Sequence, residues 1–210
     1  MLRRIRSAVF NALPPGLRRR LGLALLGQPH RPPVNGIDFG DLRRLAPIGP
    51  LYGWDRGPPL DRYYIEKFLD GRRDLIRGRV LEISEDTYTR EFGGDRVERN
   101  DVLHLDDPAP PVRILGNLAD APHIPSDTFD CIIITQTLMV IYDFQKVVET
   151  LYRILKPGGT VLATTPGLSQ IADPAWRNTW YWGFTAASAT RMFEDALDRP
   201  VSRSRPTATS

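Results

Sequence analysis

Polar residues lie within or at the ends of four short apolar runs in this sequence. Glu82 lies inside the run RVLEIS, where a carboxylate is costly to bury unless it is paired or used. Asp106 and Asp107 follow a second run, Asn117 follows a third, and Gln136 ends a fourth. Carboxylate and amide groups can bind a ligand through hydrogen bonds. These side chains meet only if the four runs are neighbouring parallel strands.

Residues 129–166 predict the fold class. Residues 131–135 form an apolar, β-branched run typical of a strand buried on both faces. A helix capped by Asp143 follows, and Pro157-Gly158-Gly159 ends it before a second buried strand at residues 160–165. Strand, helix and strand predict a right-handed crossover with parallel strands, so the fold is α/β. The apolar stripe of the helix consists of Phe144, Val147, Val148, Leu151, Ile154 and Leu155.

Three further strands are expected at residues 79–84, 102–105 and 112–115. Only residues 106–111 join the last two strands, and the prolines in this segment forbid a helix. We therefore expect a stretched, helix-free crossover between them.

A helix is expected to begin at Pro59, ahead of these strands. Its predicted buried stripe consists of Tyr64, Ile65, Phe68 and Leu69. Polar groups concentrate at its start, and they either form a lid over a ligand or cap and salt-bridge the helix end. These groups are Arg56, Asp61, Arg62 and Tyr63.

Composition narrows the function classes. The chain of 210 residues has a formal net charge of only +3, and its domain has no continuous basic stripe, so no nucleic-acid partner is predicted. Cys131 is the only cysteine and is expected to be a small buried hydrophobe. His30, His104 and His123 are scattered, so no metal site is predicted. No apolar run approaches the roughly 20 residues that span a bilayer, and a cytoplasmic location is expected.

Residues 1–53 are expected to be a basic helical extension and a linker. Residues 1–36 contain seven Arg and no Asp or Glu, and their apolar residues fall at roughly helical spacing. Three interpretations stay open. The segment lies on an anionic membrane surface or docks to a partner, it is a transit peptide, or it packs on the following domain.

The runs RVLEIS, ILGNLADAPHIPSDTFDCIIITQTL and LYRILKPGGTVLATTPG together resemble the class I S-adenosylmethionine-dependent methyltransferases. In particular, they are similar to small bacterial methyltransferase domains found beside glycosyltransferases. The resemblance covers residues 54–194 and depends most on the pairing of SDTFDCII with LKPGGTVLATTPG. It implies a mostly parallel, Rossmann-like sheet of about five strands in the order 3-2-1-4-5.

The resemblance also implies a cofactor, S-adenosylmethionine, and residues that hold its methionine part. A strand carboxylate and the following turn do this in the family, and here they correspond to Glu82, Ser84 and Asp86. Gln136 would lie beside the sulfonium. The implied reaction is methyl transfer to a small-molecule or glycan-linked acceptor.

The adenosine part of the cofactor is assigned to the next two strand ends. In the family an acidic residue accepts hydrogen bonds from both ribose hydroxyls. Asp106 matches this role best and Asp107 is the second choice. Asn117 and the backbone of Leu118 match the positions that read the adenine edge.

The loop after the first strand departs from the family pattern. Ser84, Asp86 and Tyr88 stand where glycines usually alternate, and Glu85 adds a further negative charge. The alternative is therefore a non-catalytic domain of this fold that binds a partner. No His follows Gln136, so no catalytic base is identified, although methyl transfer needs mainly in-line positioning. The lack of glycines also excludes a G-x-G-x-x-G dinucleotide site.

Residues 54–197 are predicted to form the methyltransferase-like domain and residues 198–210 a disordered tail. Residues 176–184 contain five aromatics, which either wall the acceptor pocket or cover the core and sheet edge. The tail is short, polar and broken by prolines, so it cannot form the antiparallel strand pair that closes the family's sheet. We therefore expect a truncated terminus, or a bare edge at residues 160–165 that is used for self-association.

Overall fold

The computed structural model describes residue 40 and residues 57–109, 111, 113–167 and 178–198. The chain divides into two compact units, Met1–Ile48 and Gly49–Ser210. The predicted basic extension, its boundary at residue 53 and residues 199–210 of the predicted tail lie outside the described residues. None of the described helices is long and apolar enough to cross a membrane.

The five described strands form one sheet in the order β3-β2-β1-β4-β5, and every neighbouring pair is parallel. This confirms the predicted α/β fold and strand order. The strands are β1 Gly78–Ile83, β2 Val97–His104, β3 Ile114–Leu115, β4 Phe129–Thr135 and β5 Leu155–Thr164. Within the described part of the chain, β5 pairs only with β4 and lies at the edge.

The described residues form three α-helices that cover the sheet: α1 Leu60–Asp70, α2 Phe144–Ile154 and α3 Ala186–Asp198. Side chains of β1 and β4 alternate between the two faces, so each face carries its own core. Ile65 and Leu69 of α1 pack on one face with Val80 and Cys131. α2 and α3 pack on the other face, around Ile132 and Leu81.

The predicted stripe of α1 is too wide. Ile65 and Leu69 are buried as expected, but Tyr64 is 61% exposed and Phe68 is 38% exposed. The two buried residues are four positions apart and form a single line along the helix. Only this line contacts the sheet, so the side chains one position before each of them face solvent.

Four of the six residues of the stripe predicted for α2 are buried: Val147, Val148, Leu151 and Ile154. Phe144 is partly buried, and Leu155 belongs to β5. The start of α2 differs from the prediction, because Asp143 bonds no helix amide with its side chain and instead pairs with Lys146 at 3.4 Å. Its end also differs. β5 begins at Leu155 rather than at residue 160, since Leu155 already pairs with Phe129 and a register shift takes up the following glycines.

The connection between β2 and β3 contains no helix in its described residues, as the prolines predict. β2 begins at Val97, five residues earlier than expected, because it pairs with β1 from Gly78 onward. β3 keeps only two residues, which pair with Leu103 and His104.

Candidate functional site

A cavity of about 550 Å³ opens at the carboxyl ends of β1 and β4. These two strands are neighbours, but their order in the chain reverses between them, so the cavity lies at the topological switch point of the sheet. β1 and the turn after it contribute Glu82, Ser84 and Glu85, and the end of β4 contributes Gln136 and Thr137. Three of the predicted site residues, Glu82, Ser84 and Gln136, therefore line one cavity.

Ser84 and Gln136 share an unusual backbone conformation. Their φ angles are 75° and 48°, in the left-handed region that L-residues other than glycine seldom occupy. Both residues directly follow a central strand and both line the cavity. Backbone strain of this kind costs about 1–3 kcal/mol and concentrates at functional sites. Ser84 thus adopts the conformation for which a glycine would otherwise be needed.

Glu82 is 2% exposed and uses both carboxylate oxygens within the protein. Oε1 accepts a hydrogen bond from the amide of Tyr88 at 3.1 Å, and Oε2 accepts one from the amide of Thr89 at 2.7 Å. Burial raises the pKa of Glu82, although the hydrogen bonds from Thr89 and Tyr88 oppose the shift. The carboxylate therefore holds the loop after β1 in place at the wall of the cavity.

Tyr88 fills the space beneath this loop. Its side chain is 2% exposed and stacks with Phe92, with 6.1 Å between ring centroids. Its hydroxyl accepts a hydrogen bond from Arg62 of α1, whose guanidinium carbon lies 5.3 Å from the centre of the Tyr88 ring. Burial raises the pKa of Tyr88 despite this contact. Sequence reasoning noted Tyr88 only as a missing glycine, because nothing local indicates its distant partner.

The start of α1 forms one side of the cavity. Asp61 and Arg62, two of the predicted lid residues, line it together with Pro59. Asp61 Oδ1 accepts a hydrogen bond from the Arg62 amide at 2.9 Å. Tyr63 is 55% exposed and does not line the cavity, and Arg56 lies outside the described residues.

The structure places Asp86 away from this cavity. Its carboxylate pairs with Arg90 at 2.7 Å and accepts a hydrogen bond from the side-chain Nδ2 of Asn100 at 3.2 Å. These side chains border a separate surface cavity of about 890 Å³ beside β2. The negative charge of Asp86, which the sequence predicts to lie near the cofactor carboxylate, therefore faces away from the cavity and is paired with Arg90.

Asp106 and Asp107 follow the end of β2, as predicted, outside the cavity lining. Asp106 has a side chain that is 82% exposed. His104 Nδ1 accepts hydrogen bonds from the amide of Asp107 at 3.0 Å and from the amide of Asp106 at 3.4 Å, so its ring supports the turn after β2. Asp107 Oδ1 accepts a hydrogen bond from the amide of Ala109 at 2.9 Å. Asp106 is therefore the more accessible of the two carboxylates.

Asn117 and Leu118 follow the end of β3, on the same edge of the sheet. Asn117 Oδ1 accepts a hydrogen bond from the amide of Ala119 at 2.9 Å, and this bond stabilises the local turn. Leu118 is 3% exposed and packs in the core. The structure therefore places the four residues predicted to bind adenosine on adjacent strand ends, next to the cavity side of the sheet but not within the cavity.

The aromatic residues of the segment 176–184 have both predicted roles, since one lines the cavity and others cover the core. Trp180 lines the cavity beside Met139 and Val140. Trp182 instead donates its indole N–H to the carbonyl of Ile141 at 3.1 Å, and Phe184 is 7% exposed in the core. The amides of Tyr181 and Trp182 bond the carbonyl of Met139. One ring therefore reaches the cavity while its neighbours anchor the segment, and Trp176 lies outside the described residues.

The cavity chemistry is that of a binding and positioning site. Among the described residues that line it there is no histidine, cysteine or lysine. Its titratable side chains are the carboxylates of Asp61, Glu82 and Glu85 and the guanidinium of Arg62. Such a site can orient a cationic ligand and exclude water from it.

Residues 77–163 match the family model described as a methyltransferase domain. Within a stretch of 55 residues the chain is 40% identical to the ubiquinone/menaquinone biosynthesis C-methyltransferase UbiE of Haemophilus ducreyi (23% of this chain) and 44% identical to that of Marinomonas sp.. The chain spans only 21% and 22% of the length of these relatives.

One solved structure with a similar fold is a SAM-dependent methyltransferase from Archaeoglobus fulgidus. Its TM-score is 0.51 at 10% sequence identity, and the match covers 69% of this chain and 71% of that protein. At this level of identity the match shows the shared fold. The family match, the strand order and the position of the cavity at the switch point are all those of an open α/β sheet that binds a ligand at the carboxyl ends of its strands.

Proposed function

We propose that this chain, whose residues 77–163 match a family model described as a methyltransferase domain, transfers a methyl group from S-adenosylmethionine to a small-molecule or glycan-linked acceptor. The observation that supports this most is the cavity at the switch point, where Ser84 and Gln136 both take left-handed conformations. The cofactor supplies an electrophilic methyl group on a sulfonium. The residues around it need to bind, align and desolvate rather than exchange protons.

The residue roles follow from the positions of the strand ends. Ser84 and Gln136 border the methionine part of the cofactor, and Glu82 holds the loop that covers it. Asp106 binds the ribose hydroxyls, since its carboxylate is exposed on the neighbouring strand end. Asn117 and the backbone of Leu118 read the adenine edge. We assign Asp86 to the support of the loop, because Arg90 and Asn100 hold it outside the cavity.

The acceptor would lie against Trp180. Trp180, Met139 and Val140 give the cavity an apolar side opposite its carboxylates. An aromatic ring suits the apolar face of a sugar or another flat acceptor. The acceptor atom supplies the electron pair of the new bond to the methyl carbon, and any proton that it loses passes to solvent or to one of the carboxylates in the cavity lining.

Calorimetric titration with S-adenosylhomocysteine tests the cofactor site. We expect binding by the wild-type protein and at least about tenfold weaker binding by Asp106→Ala, which removes a charged hydrogen-bond acceptor. Asp107→Ala is the matched control and should change the affinity less, because the Asp107 carboxylate already accepts a hydrogen bond from the Ala109 amide. A folded wild-type protein that binds no S-adenosylhomocysteine would refute the proposal.

A non-catalytic binding domain is the second candidate. It is favoured by the loop after β1, whose Tyr88 and Thr89 amides are occupied by Glu82 and whose space is filled by the Tyr88 ring. Transfer of a radiolabelled methyl group from S-adenosylmethionine to a panel of glycans and small molecules distinguishes the two. The binding domain predicts a folded protein that neither binds S-adenosylhomocysteine nor transfers a methyl group, and a partner that is recovered by pull-down.

A further inference from the structure

We infer that Arg62 of α1 is the residue that binds the carboxylate of the cofactor's amino-acid part, in place of a glycine-rich loop. The inference rests on the proposed function and names a binding residue that lies outside the strand ends. Three observations support it: the charges around the cavity, the hydrogen bonds of the loop after β1, and the way in which Arg62 is held.

The charges around the cavity complement those of S-adenosylmethionine. Arg62 is the only positively charged side chain among the described residues that line it, and Asp61, Glu82 and Glu85 are its negatively charged ones. The cofactor carries one carboxylate, one ammonium group and one sulfonium. Its carboxylate is repelled by the three acidic side chains, so a favourable position for it is next to Arg62.

The loop after β1 does not offer the amides of Tyr88 and Thr89 to this carboxylate. Those of Tyr88 and Thr89 point at Glu82 and bond its two oxygens at 3.1 and 2.7 Å. An anion at the start of a helical turn normally binds such amides. Here Glu82 takes that place for these two amides, and a charged donor such as Arg62 can bind a ligand carboxylate more strongly than the neutral amides that are left in the loop.

Arg62 is held where it can serve as this donor. It is half-buried, it donates to the Tyr88 hydroxyl, and it lies over the Tyr88 ring at 5.3 Å. A guanidinium presents five N–H groups in a planar fork, so a contact with Tyr88 is compatible with a second contact to a carboxylate. Tyr88 is therefore the positioning residue of Arg62.

The test compares two ligands that differ in the amino-acid part. 5′-Methylthioadenosine has the adenosine and thioether of S-adenosylhomocysteine but neither the carboxylate nor the ammonium group. We expect Arg62→Gln to weaken binding of S-adenosylhomocysteine by about 10- to 100-fold, the range for a charge-assisted hydrogen bond. Binding of 5′-methylthioadenosine should change less than about twofold.

Two controls keep the outcomes distinct. Arg191→Gln removes an exposed arginine of α3 that pairs with Asp195 at 3.6 Å and does not line the cavity, and it should change neither affinity. On the ligand side, the carboxamide of S-adenosylhomocysteine should bind the wild-type protein about tenfold more weakly than the free acid. This comparison needs no variant and stands even if Arg62→Gln fails to fold.

Equal weakening of both ligands by Arg62→Gln would overturn the inference, since it would indicate a general loss of the site. If Arg62→Gln weakens the binding of neither ligand, the inference is also overturned, and Arg62 would instead be expected to bind an acidic acceptor. If the wild-type protein binds neither ligand, the proposed function itself fails. If the wild-type protein binds both and the carboxamide binds as well as the acid, only the role of Arg62 fails.

Discussion

The guanidinium of Arg62 donates a hydrogen bond to the hydroxyl of Tyr88, which lies 26 residues later in the chain. This bond connects α1 to the loop after β1 at the wall of the cavity. The buried ring of Tyr88 stacks on Phe92. The same side chain thus forms a fixed contact between two elements.

Removal of the Tyr88 hydroxyl should loosen this contact. We expect Tyr88→Phe to lower the free energy of unfolding by about 1 kcal/mol, the typical value for one hydrogen bond. Urea denaturation followed by circular dichroism measures the change. Tyr142→Phe is the matched control, since Tyr142 is 65% exposed, and its effect should stay within about 0.5 kcal/mol. Equal unfolding midpoints for both variants would contradict a stabilising role for the bond.

Glu82 should make stability depend on pH in a defined direction. Burial raises its pKa in the folded protein above the unfolded value of about 4.3. The folded state therefore favours the protonated acid, and this contribution is complete below the unfolded pKa and is lost as the pH rises through the folded pKa. The stability of the wild type relative to Glu82→Gln should accordingly fall between acidic and neutral pH.

Urea denaturation of the wild type and Glu82→Gln at several pH values between about 4 and 8 tests this sign. Glu85→Gln, which removes an exposed carboxylate three residues later, controls for the general effect of lost charge. A stability difference that grows with pH would show that the two amide bonds outweigh burial and would reverse the predicted direction.

Asp130 should show the opposite pH dependence. Burial works against its ionisation, but the hydrogen bonds from Lys156 and the Arg79 amide outweigh burial, so its pKa is lowered. The stabilisation is present above the unfolded pKa of about 3.9 and is lost as the pH falls through the folded pKa. We expect Asp130→Asn to cost about 1 kcal/mol at pH 7, a value discounted because the side chain is 34% exposed.

The cost of Asp130→Asn should shrink at about pH 3, which chemical denaturation at the two pH values measures. Asp127→Asn, at an exposed position in the preceding turn, is the matched control. Gly78→Ala should also destabilise this corner, because Gly78 has a φ of 67° and an added Cβ would lie 2.6 Å from the Asp130 carboxylate. A cost of Asp130→Asn that increases in acid would contradict the assignment.

Cys131 should be unreactive in the folded protein. Its side chain is 0% exposed, and burial raises the pKa of its thiol to about 12. A thiol reagent such as dithionitrobenzoate attacks the thiolate, so labelling should be slow at pH 8 and reach one thiol per chain in urea. Rapid labelling of the native protein would show that β4 opens readily.

Replacement of Cys131 separates packing from polarity. We expect Cys131→Ser to lower the free energy of unfolding by about 1–3 kcal/mol, because it buries a hydroxyl in an apolar cluster. Cys131→Ala is the matched control and should cost about 1 kcal/mol for the lost volume. Thermal unfolding followed by circular dichroism distinguishes the two, and equal costs would show that polarity contributes nothing at this site.

Much of the fold was predictable because the signals are local. The β-branched run of β4 and the stripe of α2 depend on residues a few positions apart, and both are confirmed. The buried carboxylate of Glu82 was also visible as a charge inside an apolar run. Its partners were not, since the amides of Tyr88 and Thr89 are oriented by the turn that they help to form.

The errors concern contacts between distant segments. The exposed Tyr64 and Phe68 follow the same apolar pattern as the buried Ile65 and Leu69, and only the width of the contact with the sheet separates them. β5 begins at Leu155 because it pairs with β4 there, although Pro157 and two glycines suggest a turn. Pairing between strands thus overrides the local preference of these residues.

The sequence by itself determined the α/β class, the parallel crossover and the set of polar strand ends, because periodicity and strand chemistry are properties of neighbouring residues. Only the tertiary structure decided which polar groups share the cavity. It directs Asp86 to Arg90 and Asn100, away from Ser84 and Gln136. It brings Arg62 to the cavity from a separate helix, since packing of α1 on the sheet sets that distance and no spacing along the chain encodes it.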